Sequence, residues 1–214
     1  MFLKFPLVLL PTIMKEKIIQ KSADLFLSYG FKSVTMDDIA NALGISKKTI
    51  YQHFDNKTKL VEATTLSMFD MISNGIDCIC ALKKNPIEEF YDIKKLVMDH
   101  LKNEKSSPLY QLQKYYPRIF ASLKQKQFNL MQDCVRENLE RGIKQGLFRK
   151  ELNIDFISRI YFSSIIAIKD QDLFPYKQFS MNMLMENYLE YHIRGICTSK
   201  GLDYLQQFTN SYQL

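Results

Sequence analysis

The 214-residue chain has no tryptophan, three histidines and four cysteines, and its seven glycines and six prolines are about half of ordinary usage. A sandwich or barrel of many short strands needs more turn-forming residues than this, so the balance leans to helix. The cysteines, Cys78, Cys80, Cys134 and Cys197, are few and irregularly spaced, which excludes a disulfide framework. Cys78 and Cys80 stand at i, i+2, a spacing that points to different faces of a helix. They read as buried structural thiols rather than as a pair of metal ligands. No run of about 18 apolar residues exists, so no membrane span is expected. Nucleophile elbow, phosphate loop, paired-cysteine zinc spacing and His-Glu metal motif are all missing. An enzyme is therefore not expected, nor a cofactor or a metal.

What is there is an ordinary globular composition, 46% hydrophobic and 24% charged, which excludes wholesale disorder. At about 150 residues per domain the length allows one or two domains. Lys plus Arg exceed Asp plus Glu by 29 to 23, a net charge of +6, and such a balance suggests nucleic acid or an anionic surface as partner. The opening MFLKFPLVLLPTI imitates a signal peptide. Pro6 and Pro11 bracket its apolar run, however, and no small-residue cleavage site follows. The expectation is that translation starts at Met14 and that residues 1–13 are a mis-annotated start, or else a poorly ordered arm.

From Lys15 the apolar positions recur at helical spacing. Ile18, Ile19, Leu25, Phe26 and Tyr29 share one side of a helix stopped by Gly30. Thr35 offers an N-cap, with Asp37 and Asp38 in the first turn, and Gly44 ends this short second helix. Ser46 caps a third, expected over Lys47 to Phe54. Two short helices joined by a tight glycine-containing turn, with a third in front, make a helix-turn-helix unit. Further on, Asp55 or Asn56 caps a long helix with Val61, Thr65, Phe69, Ile72, Ile76 and Ile79 on one face. That spacing continues through Asn74-Gly75, which predicts a weakened or kinked helix rather than a hairpin. Helices are expected after Pro86 (with Phe90, Ile93, Val97 and Leu101 inward), after Pro108, after Pro117, from Asn153 to about Lys169 and from Ser180 to about Thr198. A final helical turn or two follows Gly201. Loops are expected over 102–107 and 170–179.

The residues of the first segment resemble the amino-terminal domain of the tetracycline-repressor (TetR) family of bacterial regulators. Ala23, Leu25, Phe26 and Gly30 match its first helix and stop, and Thr35, Ile39, Ala40 and Gly44 its second helix and turn. Ser46, Lys47, Thr49, Ile50, Tyr51, His53, Phe54, Lys57 and Leu60 match the signature across the recognition helix, here S-K-K-T-I-Y-Q-H-F-D-N-K-T-K-L. The match covers residues 15 to about 65. Lys48 stands where many members carry Gly, so base preference does not transfer. The resemblance implies an all-α fold with a three-helix DNA-binding domain over 14–60 and a helical ligand-sensing and dimerisation domain over 61–214. It also implies a cytoplasmic homodimer on double-stranded operator DNA, most often a repressor released by a small-molecule effector. An adaptor that keeps the fold without binding DNA is the alternative.

The chemistry of the third helix agrees. B-DNA's major groove admits one α-helix, whose exposed polar face meets base edges and phosphates. Lys47, Lys48, Thr49, Tyr51, Gln52 and His53 supply that face, and Ile50 and Phe54 the apolar side. Lysines in a first turn do little for a helix but suit a nearby phosphate or guanine edge. The next helix starts at Lys57, where lysine and free amides together suit a phosphate. Ser46 and Thr35 cap, and Thr35 also suits a phosphate. The stretch 44–60 sets Lys47, Lys48, Lys57 and Lys59 against Asp55. By resemblance, the last two long helices form the dimer bundle, with Phe156, Ile160, Ser164, Tyr188, His192 and Gly195 at the interface. Packing within one subunit accounts for the same stripe. Tyr91, His100, Tyr110, Tyr115, Tyr116 and Phe120 either line the effector pocket or are plain core.

Overall fold

A computed structural model describes residues 9–101, 108–170, 172–175 and 177–212. The expected charged loop over 102–107 lies outside them. Ten helices carry the described chain, and they gather into two compact units.

The first unit takes the described residues up to Met71 together with Leu101–Lys124. It contains α1 (Leu9–Tyr29), α2 (Met36–Leu43), α3 (Lys47–Tyr51), the start of α4 (Lys57–Ala81), α6 (Pro108–Tyr115) and the start of α7 (Pro117–Lys144). Helix α1 begins well before Lys15. Residues 9–13, expected to belong to a mis-annotated start or else a poorly ordered arm, are its first turns. Pro11 is tolerated there because first-turn amides need no intrahelical acceptor, and Met14 packs on the core. Ile18, Phe26, Ile39, Ile50 and Leu60 are fully buried and share one apolar cluster. Leu112, Ile119 and Leu123 complete that cluster, which is why this unit reaches beyond the 14–60 stretch expected to form it. Removing each such side chain from water contributes about 1.5–3 kcal/mol.

The second unit takes Ile72–His100 and Gln125–Leu214. It holds the rest of α4 and α7, with α5 (Pro86–Leu101), α8 (Ile154–Ala167), α9 (Met181–Ile196) and α10 (Ser199–Tyr212). Helix α4 runs unbroken through Asn74-Gly75. A Cβ at Gly75 would stand 2.7 Å from the Leu96 side chain, so the glycine serves close packing on α5. Ile87, Leu139, Phe148, Leu189, Ile193 and Leu205 form the fully buried centre.

Helix α10 has fourteen residues, not a turn or two, and Gly201 lies inside it. A Cβ there would meet the Leu147 carbonyl oxygen at 2.1 Å, so glycine permits contact with the 146–148 segment instead of ending the helix. Ion pairs with a buried partner cross this unit, Glu89 with Arg141 and Lys94 with Glu186. Glu89, 1% exposed, accepts two hydrogen bonds from Arg141 at 2.5 and 2.6 Å and one from Asn138 at 2.8 Å.

Candidate nucleic-acid interface

The α2–turn–α3 element is built from local chemistry. Thr35 accepts from the Asp38 amide at 3.1 Å, and Asp38 accepts from the Thr35 amide at 2.8 Å, a reciprocal capping box. These bonds from Thr35 hold the Asp38 carboxyl below its ordinary pKa. At the other end Gly44 takes φ 65°, a left-handed conformation that costs a side-chain-bearing residue about 1–2 kcal/mol. Ile45 donates to the Ala40 carbonyl at 3.0 Å and closes the turn. Ser46 then caps α3 by accepting from the Thr49 amide at 3.1 Å. Ile50 and Phe54 are buried and anchor α3 on the core.

Helix α3 is shorter than the expected 47–54. It ends at Tyr51, because the His53 and Phe54 amides both turn onto the Ile50 carbonyl, each at 3.0 Å. Lys47, Lys48, Tyr51 and Gln52 are exposed, while Thr49 and His53 are half-buried. Lys47 pairs with Asp37 at 2.8 Å, and that bond raises its pKa. Both partners are solvent-exposed, so the pair contributes little to stability and is easily exchanged for a phosphate.

Lys57 is half-buried and donates to the Lys32 carbonyl at 3.3 Å. Burial lowers its pKa, and Asp38 opposes the shift. Lys57 therefore ties the start of α4 to the turn between α1 and α2. Seven of the nine nucleic-acid candidates thus lie on the Ser46–His53 stretch, and Thr35 and Lys57 flank it within the same unit.

The effector candidates do not converge within either unit. Tyr110 and Tyr115 point outward, 54% and 39% exposed, with Lys114 over both rings. Tyr116 and Phe120 pack on the first unit's core. Tyr91 is buried in the second unit, edge-on to Phe208 at 5.1 Å, and the His100 ring meets the Leu96 carbonyl at 2.8 Å. The physical reason is that α5 belongs to one unit, and α6 and the start of α7 to the other. An open, largely polar cleft of about 560 Å³ in the second unit is bordered by Tyr91, Glu190, Arg194 and Gln206.

The interface candidates divide as well. Phe156, Ile160 and Gly195 are exposed, but His192 and Tyr188 turn into their own unit. His192 sits among the rings of Phe90, Tyr161 and Tyr188, and Tyr188 donates to the Tyr161 carbonyl at 3.2 Å. Sequence reasoning did not single out Tyr191, 78% exposed, or Met183, 39% exposed, both on α9. Their i, i+4 relation to Asn187 and Gly195 was the signal. It also missed that Cys80 lies beside Cys134, 54 positions away. With Glu89 these two place three donor atoms within 4.8 Å of one another. The Glu89 carboxylate is already engaged by Arg141 and Asn138, which makes the trio a poor cation site.

Two helical units, the first presenting a capped helix-turn-helix with a lysine-bearing second helix, define a helix-turn-helix regulatory protein. A family model described as bacterial regulatory proteins, tetR family, matches residues 18–64, and that match supports a regulator of this family. The HTH-type transcriptional repressor KstR2 of Mycolicibacterium smegmatis is 22% identical over 198 residues, 89% of this chain and 94% of that protein. The biofilm operon icaADBC HTH-type negative transcriptional regulator IcaR of Staphylococcus aureus (strain Newman) is 40% identical over 63 residues. That match takes 29% of this chain and only 34% of that relative. A solved TetR-family transcriptional regulator from Agrobacterium tumefaciens superposes with a TM-score of 0.71 at 17% identity, over 88% of this chain and 100% of that one. Among the described residues, no helix is long and apolar enough to cross a membrane.

Proposed function

We propose that the chain is a homodimeric, sequence-specific DNA-binding regulator that represses transcription and whose operator affinity a small-molecule effector modulates. The observation that carries this is α3 itself: Lys47, Lys48, Tyr51 and Gln52 exposed on a helix whose other side, Ile50, is buried in the core. Such a helix suits the major groove, with base edges read by the exposed side chains and phosphates held by lysines and capped helix starts. Repression is supported by the names of the KstR2 and IcaR relatives. Dimerisation is supported by the exposed apolar residues Phe156, Ile160 and Tyr191 on α8 and α9. A helix-turn-helix pair then meets two half-sites about 34–36 Å apart. The effector changes DNA affinity by preferring one conformation, a coupling of typically about 1–3 kcal/mol.

The test is a titration against DNA from upstream of the chain's own gene, with a scrambled fragment of equal length, at about 50 and 200 mM salt, because phosphate contacts make affinity steeply salt-dependent. Preference for the native fragment that survives the higher salt is the expected result. Equal binding to both, lost at the higher salt, overturns sequence-specific regulation at that site.

A further inference from the structure

We infer that Cys80 and Cys134 are a peroxide-reactive thiol pair that closes into a reversible disulfide between α4 and α7. The inference stands apart from the DNA-binding reading and concerns the second unit alone. The two sulfurs lie 3.0 Å apart, and neither is bonded to another cysteine. Sulfurs in mere contact stand farther apart, and a bonded pair is at about 2.05 Å, so closure needs only a small shift of the two side chains. The partners come from different helices, one near the end of α4 and one in the middle of α7. The bond is thus a cross-link between elements rather than a local loop.

Both thiols are only partly buried, so a small oxidant reaches them while bulky ones are hindered. Asymmetry is built in. The hydrogen bond from Cys134 holds the Cys80 thiol below its ordinary pKa, against the opposing pull of burial and the Glu89 charge and with a smaller contribution from Arg141, and the same contact together with burial pushes Cys134 up. Thiolate character selects the attacking sulfur and the protonated neighbour resolves it. The remaining two cysteines lack these features: Cys78 is exposed and Cys197 is buried, with burial raising its pKa to about 11.

The chemistry balances with a hydroperoxide as oxidant. The Cys80 thiolate attacks the terminal oxygen, an S–O bond forms, the O–O bond breaks, and the departing alkoxide or hydroxide takes up a proton. The Cys134 sulfur then attacks the sulfenic sulfur of Cys80. An S–S bond forms, the S–O bond breaks, and water leaves with the Cys134 proton. In sum two thiols and one hydroperoxide give a disulfide, an alcohol or water, and one further water. A dithiol reductant reverses the bond by exchange.

The test treats the full-length protein with hydrogen peroxide, then counts thiols and maps disulfide-linked peptides without reduction. Two of the four thiols are expected to disappear, with a Cys80–Cys134 linked peptide that dithiothreitol abolishes. Cys78→Ser should behave as the unaltered chain. Cys134→Ser, checked for helical content by circular dichroism, should stop at a Cys80 sulfenic acid trapped by dimedone. Any of three results overturns the inference: all four thiols surviving, a Cys78–Cys134 or intermolecular link in place of Cys80–Cys134, or zinc copurifying on the two thiols and shielding them.

Discussion

His192 shows how burial alone sets a pH dependence. It is 8% exposed, its ring lies 4.8 Å from Tyr161, 5.8 Å from Tyr188 and 6.1 Å from Phe90, and its Nε2 has no hydrogen-bond partner. Burial brings its pKa down to about 4, against about 6.5 in an unfolded chain. Both tyrosines stay neutral in acid, since burial raises their phenols, that of Tyr188 to about 12. Above about pH 6.5 the histidine is neutral in both states and costs nothing. As pH falls, the unfolded chain binds a proton that the folded chain refuses, so stability drops between about pH 6.5 and 4, by about 3 kcal/mol. Urea denaturation across that window should show the loss, and His192→Phe should flatten it. An unchanged slope in the variant assigns the pH dependence to other groups. The Glu89–Arg141 pair makes a second residue-scale case. Removing one partner strands a buried charge, so Arg141→Ala should cost about 3–5 kcal/mol. The double change Glu89→Leu with Arg141→Leu should recover most of it. Additive losses in the urea midpoints would mean that the two groups do not act as a pair.

At the scale of an element, two opposing terms meet in α10. Alanine is about 1 kcal/mol better than glycine inside a helix, so propensity alone favours Gly201→Ala. The added carbon, however, would sit 2.1 Å from the Leu147 backbone oxygen and 2.9 Å from the Cys197 sulfur. That oxygen already accepts from the Thr198 amide at 2.9 Å, and the Gly201 amide donates to the Thr198 hydroxyl at 3.2 Å. Backbone cannot step aside cheaply, and overpacking of this kind costs about 1–3 kcal/mol. Gly201→Ala should therefore lower the thermal midpoint despite its better propensity, and a raised midpoint would refute the close docking.

The same helix shows where sequence reading stops. The cap and stop of α2 were legible because Thr35, Asp38 and Gly44 act within one short segment. The length of α10 was not, because Gly201 is explained by Leu147, a residue far away in the chain. On α5 the expected inward face was Phe90, Ile93, Val97 and Leu101, yet among its described side chains Pro86, Ile87, Glu89, Phe90, Tyr91 and Lys94 are the buried ones. Glu89 and Lys94 are buried there because Arg141 and Glu186 pair with them from α7 and α9, and periodicity treats such residues as surface. In the candidate site, the exposed side of α3 was readable from its polar run. The face of α9 was not, because which side turns inward depends on what it packs against.

For the whole molecule, the proposed dimer is what would join two short recognition helices into one reader. Five residues of α3 can reach few base pairs, so on the proposed reading affinity rests on both copies binding at once, an effect worth about a hundredfold or more. Ile160 is 43% exposed and Tyr161 beside it is buried, so Ile160→Glu puts a charge on the outer face of α8 without entering the protomer's core. Sedimentation should show a monomer with full helical content, and binding to a two-half-site operator should fall by about a hundredfold. Gly195→Ala sharpens the assignment. No atom lies within 4 Å of a Cβ placed there, so in a single protomer the change should stabilise α9 by about 1 kcal/mol. A partner helix seated against that face would instead be pushed away by the same methyl group. Gly195→Ala should thus raise the denaturation midpoint of the Ile160→Glu monomer while weakening self-association of the otherwise unaltered chain. If it strengthens both, the dimer forms elsewhere, and Phe156, Ile160 and Tyr191 are ordinary surface.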